Sequence, residues 1–255
     1  MAGTQDIVMI HGANCGAWCF EKFREVFEAQ GWTCHAPDLV GHRMSAGTDE
    51  NAVKGVGMAD YRAELEGFLV GFVEPPVLLG HSMGAVLAQQ LAAQGLARAL
   101  ILLSPAPRAG ILPASDGEKQ LATDLMSLGA YWTKALRPSF ELACIYSLNR
   151  MKPGQQRSVF DRFVPESGRA LFELFFWMFD KERATAVDVK AVRCPALCLS
   201  GTDDCLISLA TARATAEGFP GAMFWEADGH AHMLLLEPGA DALARRIAAW
   251  IPAGD

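Results

Sequence analysis

Short apolar runs alternate along the first hundred positions with longer stretches in which apolar residues recur every three to four places. The short runs are residues 7–10, 32–36, 77–80 and 99–103; the long stretches are 18–30, 58–72 and 83–94. This alternation predicts β-α-β units. Strands apolar on both faces and joined by helices imply an α/β protein with a mostly parallel, doubly wound sheet covered on both sides by right-handed crossovers. Ligands of such sheets gather at the carboxyl ends of the strands. Punctuation agrees with the periodicity: Gly31 and Gly95 follow the first and third helical stretches, and Pro75 and Pro76 separate the second from the next strand.

After Ser104 and Pro105 the rhythm breaks. Residues 118–128, 140–148 and 169–179 carry helical spacing, and no strand pattern intervenes before about Lys190. The sheet pattern resumes at residues 196–200 and 223–226, and residues 241–250 form an amphipathic helix. The expected organisation is therefore a core made of residues 1–105 and 191–255 with an inserted helical cap at 106–190. Of the 23 aromatic residues, 11 fall between positions 105 and 190. Phe172, Phe175, Phe176, Trp177 and Phe179 are expected mostly to glue the cap to the core, with some walling an apolar pocket between cap and sheet.

Composition narrows the function. The 255 residues are 51% hydrophobic and 20% charged, outside the range of disordered chains. With 22 Lys and Arg against 29 Asp and Glu, the net charge is -7, so no cationic excess exists to neutralise phosphates, and nucleic acid is not an expected partner. No apolar run reaches the roughly 18 residues of a membrane span, and the first residues lack a basic export region. Seven cysteines without a C-x-x-C pair argue against both a disulfide framework and a zinc knuckle. A soluble cytoplasmic protein without membrane contact is expected. No G-x-G-x-x-G or Walker pattern is present, so no cofactor is implied.

The candidate chemistry begins at Gly80, His81, Ser82, Met83 and Gly84, a G-x-S-x-G pattern between a predicted strand and a predicted helix. A serine at so sharp a turn takes a strained backbone, and the glycines remove the Cβ atoms that would collide there. The Ser82 hydroxyl would project into the crevice, with the Met83 amide at the helix N-terminus available to a developing oxyanion.

On these residues the chain resembles the α/β-hydrolase superfamily over nearly its whole length. His11, Gly12 and Ala13 resemble the oxyanion loop of that family, which implies Ala13 as the second amide donor beside Met83. The run PDLVGHRMS at residues 37–45 is similar to the family's P-D-x-x-G-x-G-x-S loop, with Arg43 in place of the second glycine; His42 is read there as structural. The resemblance also implies an acid and a histidine base downstream of Ser82, since serine needs a base and the base an acceptor. The family's G-x-x-D spacing selects Asp204, with Asp203 as the alternative. Placement shortly before the pair Glu237 and Pro238 selects His232 as base, while a Gly-His pair would select His230. The H-x-H spacing of these two also suits metal ligation, but no further ligands of suitable spacing accompany them and no metal is expected.

The run HGANCGAWCF at residues 11–20 is similar to the HGACHGAWCW stretch of the plant methyl-esterase and hydroxynitrile-lyase branch. Asn14 and Cys15 replace its Cys-His pair, so no role of that histidine carries over; Cys15 is read as a small buried filler. Lyases of the branch tend to carry Thr and Lys where this chain has Gly12 and Met233, which places it on the esterase side. The resemblance thus implies a serine hydrolase acting on a small, largely apolar carboxylic ester through an acyl-enzyme. Lactone, thioester or carbon-carbon bond hydrolysis would use the same residues. A non-catalytic small-molecule sensor on the same fold is the alternative from another class, and the set of Ser82, Asp204 and His232 weighs against it.

Overall fold

The computed structural model describes residues 5–43, residue 49 and residues 51–252. Met44 and Ser45, the end of the P-D loop, and the first four residues lie outside them. Strand β1 (Asp6–Ile10) leads through a 3₁₀ turn (Ala17–Phe20) into helix α1 (Glu21–Glu28) and strand β2 (Thr33–His35). Helix α2 (Met58–Leu69), strand β3 (Val77–His81), helix α3 (Met83–Ala93) and strand β4 (Ala99–Leu103) follow. These match the elements expected from periodicity, with ends moved by a few residues.

The segment between β4 and the next sheet strand holds helix α4 (Asp116–Ser127), strand β5 (Ala135–Leu136), helices α5 (Phe140–Tyr146) and α6 (Pro153–Phe160), strand β6 (Glu166–Ser167) and helix α7 (Gly168–Phe175). The expectation of a segment without strands is corrected here, because β5 and β6 pair antiparallel through Ala135 with Ser167 and Leu136 with Glu166. Two residues per strand are too few to leave an alternating pattern. Strand β7 (Ala196–Gly201), helix α8 (Leu209–Glu217), strand β8 (Met223–Ala227) and helix α9 (Ala240–Trp250) complete the chain.

Six strands form one sheet in the order β2-β1-β3-β4-β7-β8, and every neighbouring pair is parallel. Alternation along the strands divides the core in two. Ile7, Met9, Leu79, Ile101 and Leu199 meet Phe23 and Phe27 of α1 and Ile247 of α9 on one face. Val8, Ile10, Leu78, Leu100 and Leu102 meet Leu65 of α2, Val86 and Leu91 of α3 and Ala216 of α8 on the other. Strands β3, β4 and β7 are buried throughout, and each fully buried Leu or Ile there contributes about 1.5–3 kcal/mol of transfer free energy.

The aromatic residues of the intervening segment divide by task. Phe172 and Phe176 stack on each other at 5.8 Å and lie against Tyr131 within the segment, so they build it rather than glue it down. Phe175 packs on the α2-α3 side of the core. Trp177 donates from its indole to the Ile111 carbonyl, whereas Phe179 is 66% exposed.

Candidate active site

Strand β3 ends at His81 and α3 begins at Met83, so Ser82 occupies the whole turn with φ 52° and ψ -118°. A non-glycine residue in this region stores strain of about 1–3 kcal/mol. Backbone bonds hold it there. Ser82 N–H donates to the Leu103 carbonyl at 3.0 Å, and the Ser82 carbonyl accepts from Ala85 at 3.0 Å and Ala106 at 3.2 Å. The flanking glycines permit the crossing: a Cβ on Gly84 would run into the Ile10 and His11 carbonyls, and one on Gly80 into the Gly84 carbonyl and the Ala85 backbone. The conformation expected from G-x-S-x-G is the one observed.

Strand β1 lies beside β3 in register, with Ile10 opposite Gly80. The loop after β1 therefore lands on the turn after β3, and a Cβ on Gly12 would fall 2.8 Å from the Ser82 Cβ. Ala13 and Ser82 line one cavity. His11 is fully buried and holds this loop: its Nδ1–H donates to the Gly12 carbonyl at 2.9 Å, and Nε2 accepts the Leu39 amide at 3.0 Å. Burial, reinforced by the nearby His42 charge, pushes the His11 pKa down to about 3 and keeps the ring neutral.

The two candidates for acid and the two for base separate. His232 Nδ1–H donates to Asp204 Oδ2 at 2.9 Å, and both side chains are buried. Asp204 Oδ1 accepts from the amides of Leu206 and Ile207, each at 2.9 Å, which fixes the carboxylate behind the ring. Since Nδ1 is engaged as donor, the lone pair of His232 sits on Nε2. Asp203 instead faces outward, 3.3 Å from the Arg150 guanidinium and 43% exposed. His230 turns toward Glu237, with Nδ1 3.3 Å from Oε2, and lies against Gly239. The structure brings together Asp204 and His232, and not Asp203 or His230.

His81 was not singled out in the sequence. It is buried, its ring centroid lies 5.0 Å from that of His232, and its Nε2–H donates to the His232 carbonyl at 2.9 Å. Burial, with the His232 charge second, lowers the His81 pKa to about 3, so the ring is a neutral brace.

Ser82 and His232 open on the same cavity of about 680 Å³, with Asn14 and Cys15 also in its wall. Leu125, Leu136, Leu142, Phe163, Leu171 and Phe175 give it a mainly apolar lining, suited to an apolar ligand turned by a few polar groups. Among the described residues no cluster of three or more His, Cys, Asp or Glu suits a metal ion. No helix among them is long and apolar enough to cross a membrane. His42, read as structural, is buried away from this cavity and pairs with Glu166 at 2.9 Å.

Comparison with known proteins fits this geometry. A stretch of 88 residues is 38% identical to a pyrethroid hydrolase of Sphingobium wenxiniae, and one of 82 residues is 35% identical to Methylesterase 17 of Arabidopsis thaliana. These stretches cover 34% and 31% of this chain but only 30% and 28% of the two relatives. The crystal structure of a methylesterase from Arabidopsis superposes with a TM-score of 0.70 at 18% identity, over 96% of this chain and 97% of that one, which shows a common fold. The model of the alpha/beta hydrolase family matches residues 7–246, and the chain belongs to that family.

Proposed function

We propose that the protein is a carboxylic ester hydrolase that works through an acyl-enzyme on Ser82 and favours small, largely apolar esters. One observation carries this reading: a strained serine at φ 52° shares a mainly apolar cavity with a histidine held by a buried carboxylate at 2.9 Å. Ser82 Oγ attacks the ester carbonyl while His232 Nε2 takes its proton; Asp204 holds the ring and stabilises the imidazolium. The amides of Ala13 and Met83 receive the negative charge on the carbonyl oxygen. The tetrahedral intermediate collapses, His232 returns the proton to the departing alkoxide, and the alcohol leaves. Water, deprotonated by the same Nε2, then attacks the acyl-enzyme and frees the acid and Ser82.

The names of the relatives, a pyrethroid hydrolase and a methylesterase, support an ester over a thioester, lactone or carbon-carbon bond. In this reading residues 106–190 act as a cap that roofs the substrate. The seven cysteines are all free, which supports a reducing, cytoplasmic setting.

A panel of p-nitrophenyl esters with acyl chains of increasing length tests the proposal. Turnover that prefers apolar acyl groups and disappears in Ser82→Ala is the expected result. Absence of both turnover and covalent labelling by a fluorophosphonate would instead assign the cavity to a sensor.

A further inference from the structure

The intervening segment reaches the loop after β1 on either side of Ala13, by hydrogen bonds at Asn14 and, through His42, by a ring contact at His11. Asn14 follows Ala13 in a left-handed conformation, φ 60°, which asparagine tolerates better than most residues. Its Nδ2 donates to the carbonyls of Leu136 at 3.0 Å and Val164 at 2.8 Å, and the Val164 amide donates back to the Asn14 carbonyl at 3.0 Å. The second grip lies two residues on. Glu166 accepts from His42 Nε2 at 2.9 Å and from the Tyr61 hydroxyl at 2.6 Å, and the His42 ring lies 4.9 Å from His11, which precedes Gly12. Leu136 and Glu166 are partners in the β5-β6 pair, so both grips issue from one small ladder.

Other contacts also fasten the segment. Arg162 pairs with Glu21, and the Glu118 carboxylate accepts from Ser208. Those fasten the segment beyond the loop, the Arg162 guanidinium also lying 4.4 Å over the Trp18 ring in the following 3₁₀ turn, whereas Asn14 and His11 bracket Ala13. Asn14 lines the cavity, yet both N–H groups of its amide are spent on main-chain carbonyls and none is left to donate to a substrate. Its amide nitrogen is therefore placed to hold the loop and not to donate to a ligand.

We propose that Asn14 and Glu166 are positioning residues that set the Ala13 amide against the oxyanion, so that the β5-β6 ladder is part of the catalytic geometry. This rests on the acyl-enzyme reading. An amide donor displaced by about 1 Å forfeits on the order of 100-fold in rate, and the loss falls on the transition state more than on the bound ester.

The test compares the full-length wild type with Asn14→Asp, Asn14→Gly, Glu166→Gln and Arg162→Ala. It reads kcat and KM on p-nitrophenyl butyrate, the rate of fluorophosphonate labelling and the melting temperature. Asn14→Asp keeps the left-handed backbone but sets a carboxylate against two carbonyls. It is expected to lower kcat and the labelling rate by about 10- to 100-fold with KM within about twofold. Glu166→Gln should fall in the same pattern by less, and Arg162→Ala should match the wild type. Should Asn14→Asp not fold, Asn14→Gly suits φ 60° and removes the same two donors. Wild-type kcat per folded molecule in the Asn14 variant, or a loss confined to KM, would overturn the positioning role while leaving the hydrolase intact. A wild type that neither turns over nor labels would overturn the acyl-enzyme reading, and the positioning role with it.

Discussion

His81 donates from Nε2 to the main-chain carbonyl of His232 at 2.9 Å. The residue before the predicted nucleophile thus braces the loop that carries the predicted base, across 151 positions of sequence. His81→Phe keeps a ring of similar volume and removes the donor. It is expected to lower kcat on the order of 10-fold, because the main chain that carries the His232 imidazole loses this anchor. Kinetics normalised to the fraction folded, read by near-ultraviolet circular dichroism, checks this.

His232→Ala and His230→Ala measured side by side separate the two histidines. The expected losses in kcat are about 10,000-fold or more for the first and less than about threefold for the second. Comparable losses in both would remove the structural basis for choosing His232. Asp203→Asn should likewise be nearly silent, since its carboxylate faces the half-exposed Arg150 guanidinium at the surface.

Much of this arrangement was legible in the chain before its coordinates, and the limits have physical causes. The strands of the core announce themselves by short apolar runs, and Gly80 and Gly84 mark the turn because nothing larger fits. Helix α8 went unread because Leu209–Glu217 consists largely of Ala and Thr, whose apolar contrast is weak. Helix α6 has no buried residue to set a period. The choice between His230 and His232 depends on which way a loop turns, which spacing alone left open. Glu166 was out of reach for a different reason: its partner His42 is 124 positions away, and a lone glutamate in a polar stretch carries no sign of burial.

The His42–Glu166 pair gives a pH signature. Burial lowers the His42 pKa, but the Glu166 charge and hydrogen bond more than offset it, and the net direction is up from 6.5. Burial raises the Glu166 pKa, while the His42 charge and bonds from His42, Tyr61 and Ser167 carry it below 4.5. The histidine's share of stability is full below 6.5 and is lost as pH rises through its elevated folded value. The glutamate's share is full above 4.5 and is lost as pH falls through its depressed folded value. Urea melts of wild type and Glu166→Ala across the range should therefore differ most between about pH 4.5 and 6.5, by about 3–5 kcal/mol, and the difference should narrow on both sides to what the lost Tyr61 and Ser167 bonds account for. A difference that does not change with pH would show that the two groups are not paired as ions.

Gly84→Ala adds one methyl where the Ile10 and His11 carbonyls already stand. The turn must open or the strands part, and a destabilisation of at least about 1–3 kcal/mol is expected. Thermal melts report the loss, and any soluble fraction should turn over more slowly because Ser82 is displaced with the turn.

The pairing of Ile10 with Gly80 has a consequence for quality control during folding. A slip of one residue between β1 and β3 would displace Gly12 along the sheet by about 3.3 Å relative to Ser82 and would invert which side chains face each helical layer. A molecule that closed on the wrong partner would be unsound in its interior and inert toward substrate at once. Specific activity in a preparation is expected to fall with the share of chains in a slipped alignment.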